Sequence, residues 1–98
     1  MAAIIVHCYY TGAAGAARGF IREMQRSGLQ QAVRNEDGCL QYDYYFSAQD
    51  ETDCALLEKW RDGPALAAHM NGEPMRKLQA VKERYGLETT VERYEVKD

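Results

Sequence analysis

The chain is poor in the residues that most often announce a function. In 98 residues it has two histidines, three cysteines, two prolines and one tryptophan. Cys8, Cys39 and Cys54 lie far apart and their number is odd, which fits neither a CxxC metal site nor a disulfide framework. His7 and His69 have no cysteine near them in sequence, so no metal site is expected. There is no GxGxxG or GxxxxGK[ST] loop to cradle a nucleotide and no GxSxG elbow for a serine nucleophile. Positive charge is not in excess either: the net charge is −3 with the signs interspersed, so no nucleic-acid partner is expected. The apolar stretch Met1 to Tyr10 lacks a basic leader and is too short for a signal peptide or a bilayer span. No membrane association is expected, and a reducing cytoplasm is the expected home.

What is present is an ordinary globular composition, 46% hydrophobic and 28% charged, with enough apolar surface to offset chain entropy. The length suits a single domain over residues 1–98. So small a core is often extended by oligomerisation, so a homodimer is expected.

Hydrophobic periodicity divides the chain. Ala3 to Tyr10 reads as a strand, β-branched at Ile4, Ile5 and Val6 and apolar on both parities, as in a strand covered on both faces. Thr11 and Gly12 end it. From Ala13 the apolar residues recur at three- and four-residue steps (Ala17, Phe20, Ile21, Met24, Gly28, Ala32, Val33), which predicts one amphipathic helix of five or six turns. Gly28 in its middle costs about 1 kcal/mol relative to Ala and predicts a kink or a close contact. Gly38 is the predicted stop. Cys39 to Phe46 is a second strand, with Leu40, Tyr42, Tyr44 and Phe46 on one parity, and Cys54 to Arg61 a third; the short polar link makes them a hairpin. Asp62 and Pro64 open a short helix, Asn71, Gly72 and Pro74 interrupt it, and a further helix runs to Gly86. Thr89 to Val96 is the last strand. The order β-α-β-β-α-α-β predicts an α+β ferredoxin-like antiparallel sheet with helices on one face. Strands apolar on both parities predict that a second copy covers the other face.

Three blocks carry more than periodicity. Asn35-Glu36-Asp37-Gly38-Cys39-Leu40-Gln41-Tyr42 resembles the end of the long helix in the antibiotic biosynthesis monooxygenase family. Leu57-Glu58-Lys59-Trp60-Arg61-Asp62, continued by Ala65, Leu66 and His69, is similar to that family's strand-to-helix signature, and Val91-Glu92-Arg93-Tyr94-Glu95-Val96 to its final strand. The resemblance implies a dimeric α/β barrel with a pocket in each subunit between sheet and helices. It also implies oxidation of a small phenolic, quinol or polyketide-like substrate by molecular oxygen with no cofactor. The chain departs from the pattern at Glu73-Pro74-Met75, where many relatives carry a second histidine.

Such chemistry needs a base to form a phenolate, donors to hold the anion, and a dry pocket. His69, with an unperturbed pKa near 6.5, is the expected base, beside the apolar face of the short helix; a half-exposed surface histidine is the competing assignment. Trp60 is expected either to offer a pocket wall and an N–H donor to a substrate oxygen or to pack as a core aromatic. Glu58 shares its parity and would orient a histidine, unless it is a solvated strand charge. Tyr42 and Tyr44 would hydrogen-bond a phenolate, although most of the seven tyrosines must be packing residues. His7 faces either the pocket or the dimer interface, and its parity leaves both open. Two other functions suit the same scaffold: an isomerase of a small carbonyl compound using the same base, and a non-catalytic dimeric ligand-binding or stress-related barrel.

Overall fold

The computed structural model describes residues 2–50 and 52–97. Four strands, β1 (Ala3–Thr11), β2 (Cys39–Phe46), β3 (Cys54–Trp60) and β4 (Glu88–Val96), form one antiparallel sheet in the order β2-β3-β1-β4. Helices α1 (Ala16–Arg26), α2 (Leu29–Arg34), α3 (Gly63–Met70) and α4 (Glu73–Arg84) complete an α+β ferredoxin-like fold.

The long helix predicted from Ala13 is two helices rather than one. Gly28 adopts φ +83°, in the left-handed region, and the helical hydrogen-bond ladder ends there and restarts at Leu29. The start is also later than predicted, because Gly15 at φ +82° ends the preceding turn. The apolar stripe survives the break: Ala17, Phe20, Ile21 and Met24 of α1 and Val33 of α2 are all buried.

Burial alternates along β1 with a period of two. Ile4, Val6, Cys8 and Tyr10 point into the core with Leu56 and Trp60 of β3 and Tyr42 of β2. The opposite residues, Ala3, Ile5 and His7, are half-buried, and Tyr9 and Thr11 are exposed. The sheet is therefore covered by this chain on one face only, and the apolar residues of the second parity lie open.

The parity predicted for β2 holds only in its middle. The register with β3 shifts between Cys39 and Gln41, and this irregularity leaves Leu40 exposed while Tyr42 and Tyr44 face inward. Phe46, at the far end, is exposed and has the Arg18 guanidinium over its ring at 4.2 Å.

The connection from β3 to α3 is tightly specified. Asp62 caps α3, its Oδ1 accepting from the Ala65 amide at 2.9 Å, with Pro64 in the first turn. Arg61 reaches back to Asp37 with both terminal nitrogens at 3.2 Å, and its amide donates to the Gly38 carbonyl at 2.8 Å. These bonds tie the end of the α2 segment to the start of α3. No helix among the described residues is long and apolar enough to cross a membrane.

Candidate active site

The carboxylate and the imidazole that meet at the site are 33 residues apart. The turn Asn35 to Gly38 brings the first of them: the Cys39 amide donates to the Glu36 carbonyl, and Gly38 takes φ +84° so that the chain passes directly over α3. A Cβ at Gly38 would stand 2.5 Å from the Ala65 Cβ, so only glycine permits this approach. α3 brings the second, because His69 lies on its inner side with Leu66 and Ala65 and is only 2% exposed.

His69 is held on three sides. Its Nδ1 is 2.8 Å from Glu36 Oε2. A carboxylate offers only acceptors, so Nδ1 carries the hydrogen and donates it; in the neutral ring the lone pair is then on Nε2. The ring stacks on the Trp60 indole, with centroids 4.6 Å apart and planes at 24°. Beyond Nε2, at 3.8 Å, lies Glu58 Oε1, too far for a hydrogen bond but close for a charge. A histidine oriented through one nitrogen and free at the other has the arrangement of a general base.

Glu58 is buried beneath this group. It accepts from the Trp60 indole N–H at 3.0 Å and from the Cys8 thiol at 3.5 Å. Burial pushes its carboxyl pKa up, opposed by the Trp60 bond and the nearby His69. Burial and the Glu58 carboxylate together raise the Cys8 thiol to about 12, so Cys8 remains a thiol at neutral pH and does not act as a nucleophile.

These groups border a cavity of about 310 Å³ between the sheet and helices α3 and α4. Val6 and Leu56 form its floor, Met75 and Leu78 one wall, and Val91 of β4 its rim. His69, Glu58, Tyr42 and Tyr10 also line it. Burial holds the Tyr10 and Tyr42 phenols well above their usual pKa, so both remain neutral donors. Lys82 of α4 enters from the other end, its Nζ donating to Thr89 Oγ1 at 2.8 Å. Among the described residues no group of three His, Cys, Asp or Glu side chains is arranged to hold a metal ion. A larger hollow of about 440 Å³ lies at the hairpin end of the sheet between Tyr9, Tyr45 and Phe46, and it contains neither a histidine nor a lysine.

Of the residues singled out in the sequence, the structure brings together His69, Glu58, Trp60 and Tyr42. Of the two parts expected of it, Trp60 takes that of the core aromatic. It is 0% exposed and its N–H is engaged by Glu58, so it positions Glu58 and His69 and has no donor left for a substrate oxygen. Tyr44 packs edge-on against Tyr42 and Phe20 and borders a separate hollow beside Arg18 and Arg22. His7 lies on the opposite face of the sheet, paired in register with Leu57 and Glu92, with its Nδ1 3.0 Å from the Tyr9 hydroxyl. The strand period of two puts it out of reach of the cavity, whose β1 residues are Val6, Cys8 and Tyr10.

Sequence reasoning missed three members of the site. Glu36 stands in the sequence only as part of the block at the end of the long helix, and the contact with His69 is what brings it to the site. Cys8 and Lys82 left fainter signals: Cys8 shares the parity of Val6, and Lys82 follows Leu78 and Val81 at spacings that put it on the apolar stripe of α4.

The sequence and the fold have known relatives. A Pseudomonas aeruginosa protein of known structure is 27% identical, with 100% of this chain and 97% of that one covered and a TM-score of 0.82. A conserved Methanosarcina mazei protein is 21% identical over 99% and 95% of the two chains, with a TM-score of 0.85. A provisionally named antibiotic biosynthesis monooxygenase from Deinococcus radiodurans is 20% identical over 97% and 93%, with a TM-score of 0.84. The last two, at such identities, speak to the fold alone. No functionally curated protein matches the chain. The antibiotic biosynthesis monooxygenase family matches residues 3–81, which include β1, the Glu36 turn, the Glu58-Trp60 strand and His69, and the chain belongs to that family.

Proposed function

We propose that the chain is a cofactor-independent monooxygenase that binds a small phenol or quinol in the cavity beside His69 and oxidises it with molecular oxygen. The observation that carries this reading is the placement of His69: Nδ1 lies 2.8 Å from Glu36, and the ring lines a largely apolar cavity with Nε2 in no hydrogen bond. Nε2 takes the hydroxyl proton of the substrate. The imidazolium so formed lies between Glu36 at 2.8 Å and Glu58 at 3.8 Å, and both carboxylates favour its charge. Tyr42 and Tyr10 line the same cavity and are kept neutral by burial, and in this reading they donate to the phenolate. The phenolate passes an electron to oxygen. For a phenol open at the para carbon, one oxygen atom enters the ring to give the quinone and the other leaves as water.

The test is oxygen consumption by metal-free and flavin-free protein with hydroquinones, naphthols and anthrones. Loss of a general base lowers rates by roughly 10²- to 10⁴-fold, so uptake by wild type should fall by that factor in His69→Ala. If wild type consumes no oxygen with any of them, the oxygenase reading fails. Turnover of an enolisable carbonyl compound without oxygen would then assign the same base to an isomerase.

We further propose that two copies pair through the open face of the sheet. Ile5 and Leu57 are only half-buried there, and Tyr9 and Tyr94 are exposed beside them. Apolar surface of this kind favours association.

A further inference from the structure

The mechanism above leaves one charged group of the cavity unused. Lys82 sits on the apolar stripe of α4, and its amine is half-buried at the end of the cavity away from His69. Its hydrogen-bond partner is the neutral Thr89 hydroxyl, and none of the ion pairs among the described residues includes it. Partial withdrawal from water pulls its pKa down, so the amine carries its charge at a cost that a counter-ion would remove. The carboxylate lining the cavity, Glu58, is already engaged by Trp60 and Cys8.

The register separates the row of Thr89, the hydrogen-bond partner of Lys82, from the row of Glu58, the neighbour of His69. Thr89 pairs with Tyr10 across β1 and β4, while Glu58 pairs with Val6 across β3 and β1. Val6 and Tyr10 are four residues apart, or roughly 13 Å at the rise of a strand. Between the two rows the floor is Cys8 and Leu56. The cavity thus has a base at one end, an unpaired cation at the other and apolar walls between them. Its 310 Å³ is at the small end of the range for ligand pockets, about 300–1,000 Å³.

Resting on the reading of this cavity as the substrate site, we infer that it takes a hydroxyaryl carboxylate. The ionisable hydroxyl meets His69 Nε2, the ring system lies on Leu56 and Cys8, and the carboxylate accepts from Lys82 Nζ and from the Thr89 hydroxyl. Lys82 selects the substrate by charge and takes no part in the proton transfer.

The experiment is anaerobic equilibrium binding of 6-hydroxy-2-naphthoate and of its methyl ester, followed by ligand fluorescence, to wild type, Lys82→Met and Lys82→Arg. A charge-assisted contact at a half-buried amine corresponds to roughly 10- to 100-fold in affinity. Wild type should prefer the acid to the ester by that factor. In Lys82→Met the ratio should fall to about one with ester binding retained, and Lys82→Arg should recover most of it. An acid that binds no tighter than its ester, or does not bind wild type at all at millimolar concentration, overturns the inference. So does a preference that survives in Lys82→Met. The acid-to-ester ratio on wild type decides the question even if a variant fails to fold. Binding without oxygen is independent of turnover, so failure here leaves oxygen uptake with neutral phenols untouched. Conversely, tight acid binding with no uptake would count against the oxygenase reading alone.

Discussion

The imidazole of His69 lies nearly flat on the indole of Trp60, centroids 4.6 Å apart and planes 24° from parallel, while the same indole donates its N–H to Glu58. One side chain therefore sets both the plane of the base and the position of the carboxylate next to it. This relationship gives a fully buried tryptophan a part in the candidate site.

Trp60→Phe separates these two effects. It keeps a ring against His69 but leaves Glu58 Oε1 without its donor. Loss of a hydrogen bond to a charged group costs about 1.5–3 kcal/mol, and urea denaturation should show a destabilisation of that order. The Trp60 bond also holds the Glu58 pKa down, so that pKa should rise further in the variant. Carboxyl NMR titration of Glu58 in both proteins would check the shift; an unchanged value would mean that the bond is not maintained in solution.

Glu58 gives stability a pH dependence of predictable sign. Its folded-state pKa is raised from 4.5 chiefly by burial. Between the unfolded value and the raised one, the folded chain binds more protons than the unfolded chain, so stability falls as pH rises through that window. Its contribution is fully present below the unfolded pKa. Glu58→Gln offers an oxygen to Trp60 and an amide to the Cys8 sulfur but does not titrate. The difference in unfolding free energy between variant and wild type should widen in favour of the variant as pH increases through the window, and chemical denaturation at a series of pH values would show a flat difference if the idea is wrong.

Two glycines with nearly the same backbone angle should respond differently to alanine. At Gly28, φ +83°, an added Cβ meets nothing within 4 Å, so Gly28→Ala should cost only the left-handed penalty of about 1–2 kcal/mol. At Gly38, φ +84°, the Cβ would also collide with Ala65 at 2.5 Å, adding an overpacking cost of about 1–3 kcal/mol. Because Ala65 belongs to the helix that carries His69, Gly38→Ala should lower activity in the fraction that still folds, whereas Gly28→Ala should not. Thermal denaturation and initial rates on both variants decide this.

The proposed dimer makes a prediction that needs no activity. Leu57 stands on the open face of the sheet, in register with His7 on β1 and Asp43 on β2. Leu57→Glu should place a carboxylate at the centre of the interface and yield a folded monomer, read by sedimentation and far-ultraviolet circular dichroism. A wild-type protein that sediments as a monomer at micromolar concentration would rule out the pairing.

Periodicity alone carried the fold a long way. The alternation of Ile4, Val6, Cys8 and Tyr10, the stripe from Ala17 to Val33, and the Asp62-Pro64 start of α3 are local signals, and local signals specify strands, helices and caps. They also placed His69 beside an apolar helix face. The break at Gly28 was legible as a disturbance but not as a complete interruption, because a glycine in a helical pattern is compatible with either until its φ is known.

What the chain determined by itself is the order of its elements and the place of His69 on a short helix. Only the tertiary structure decided the rest of the site. Alternation shows that a strand has two faces but not which of them the helices cover, so His7 and Val6 could be assigned only once the sheet was packed. Glu36 meets His69, and the Trp60 N–H meets Glu58 instead of a substrate. Lys82 reaches the cavity through its place on α4 and its bond to Thr89. Local propensity ends where each element ends; the register between β1, β3 and β4 and the passage of Gly38 over Ala65 set which side chains share the cavity.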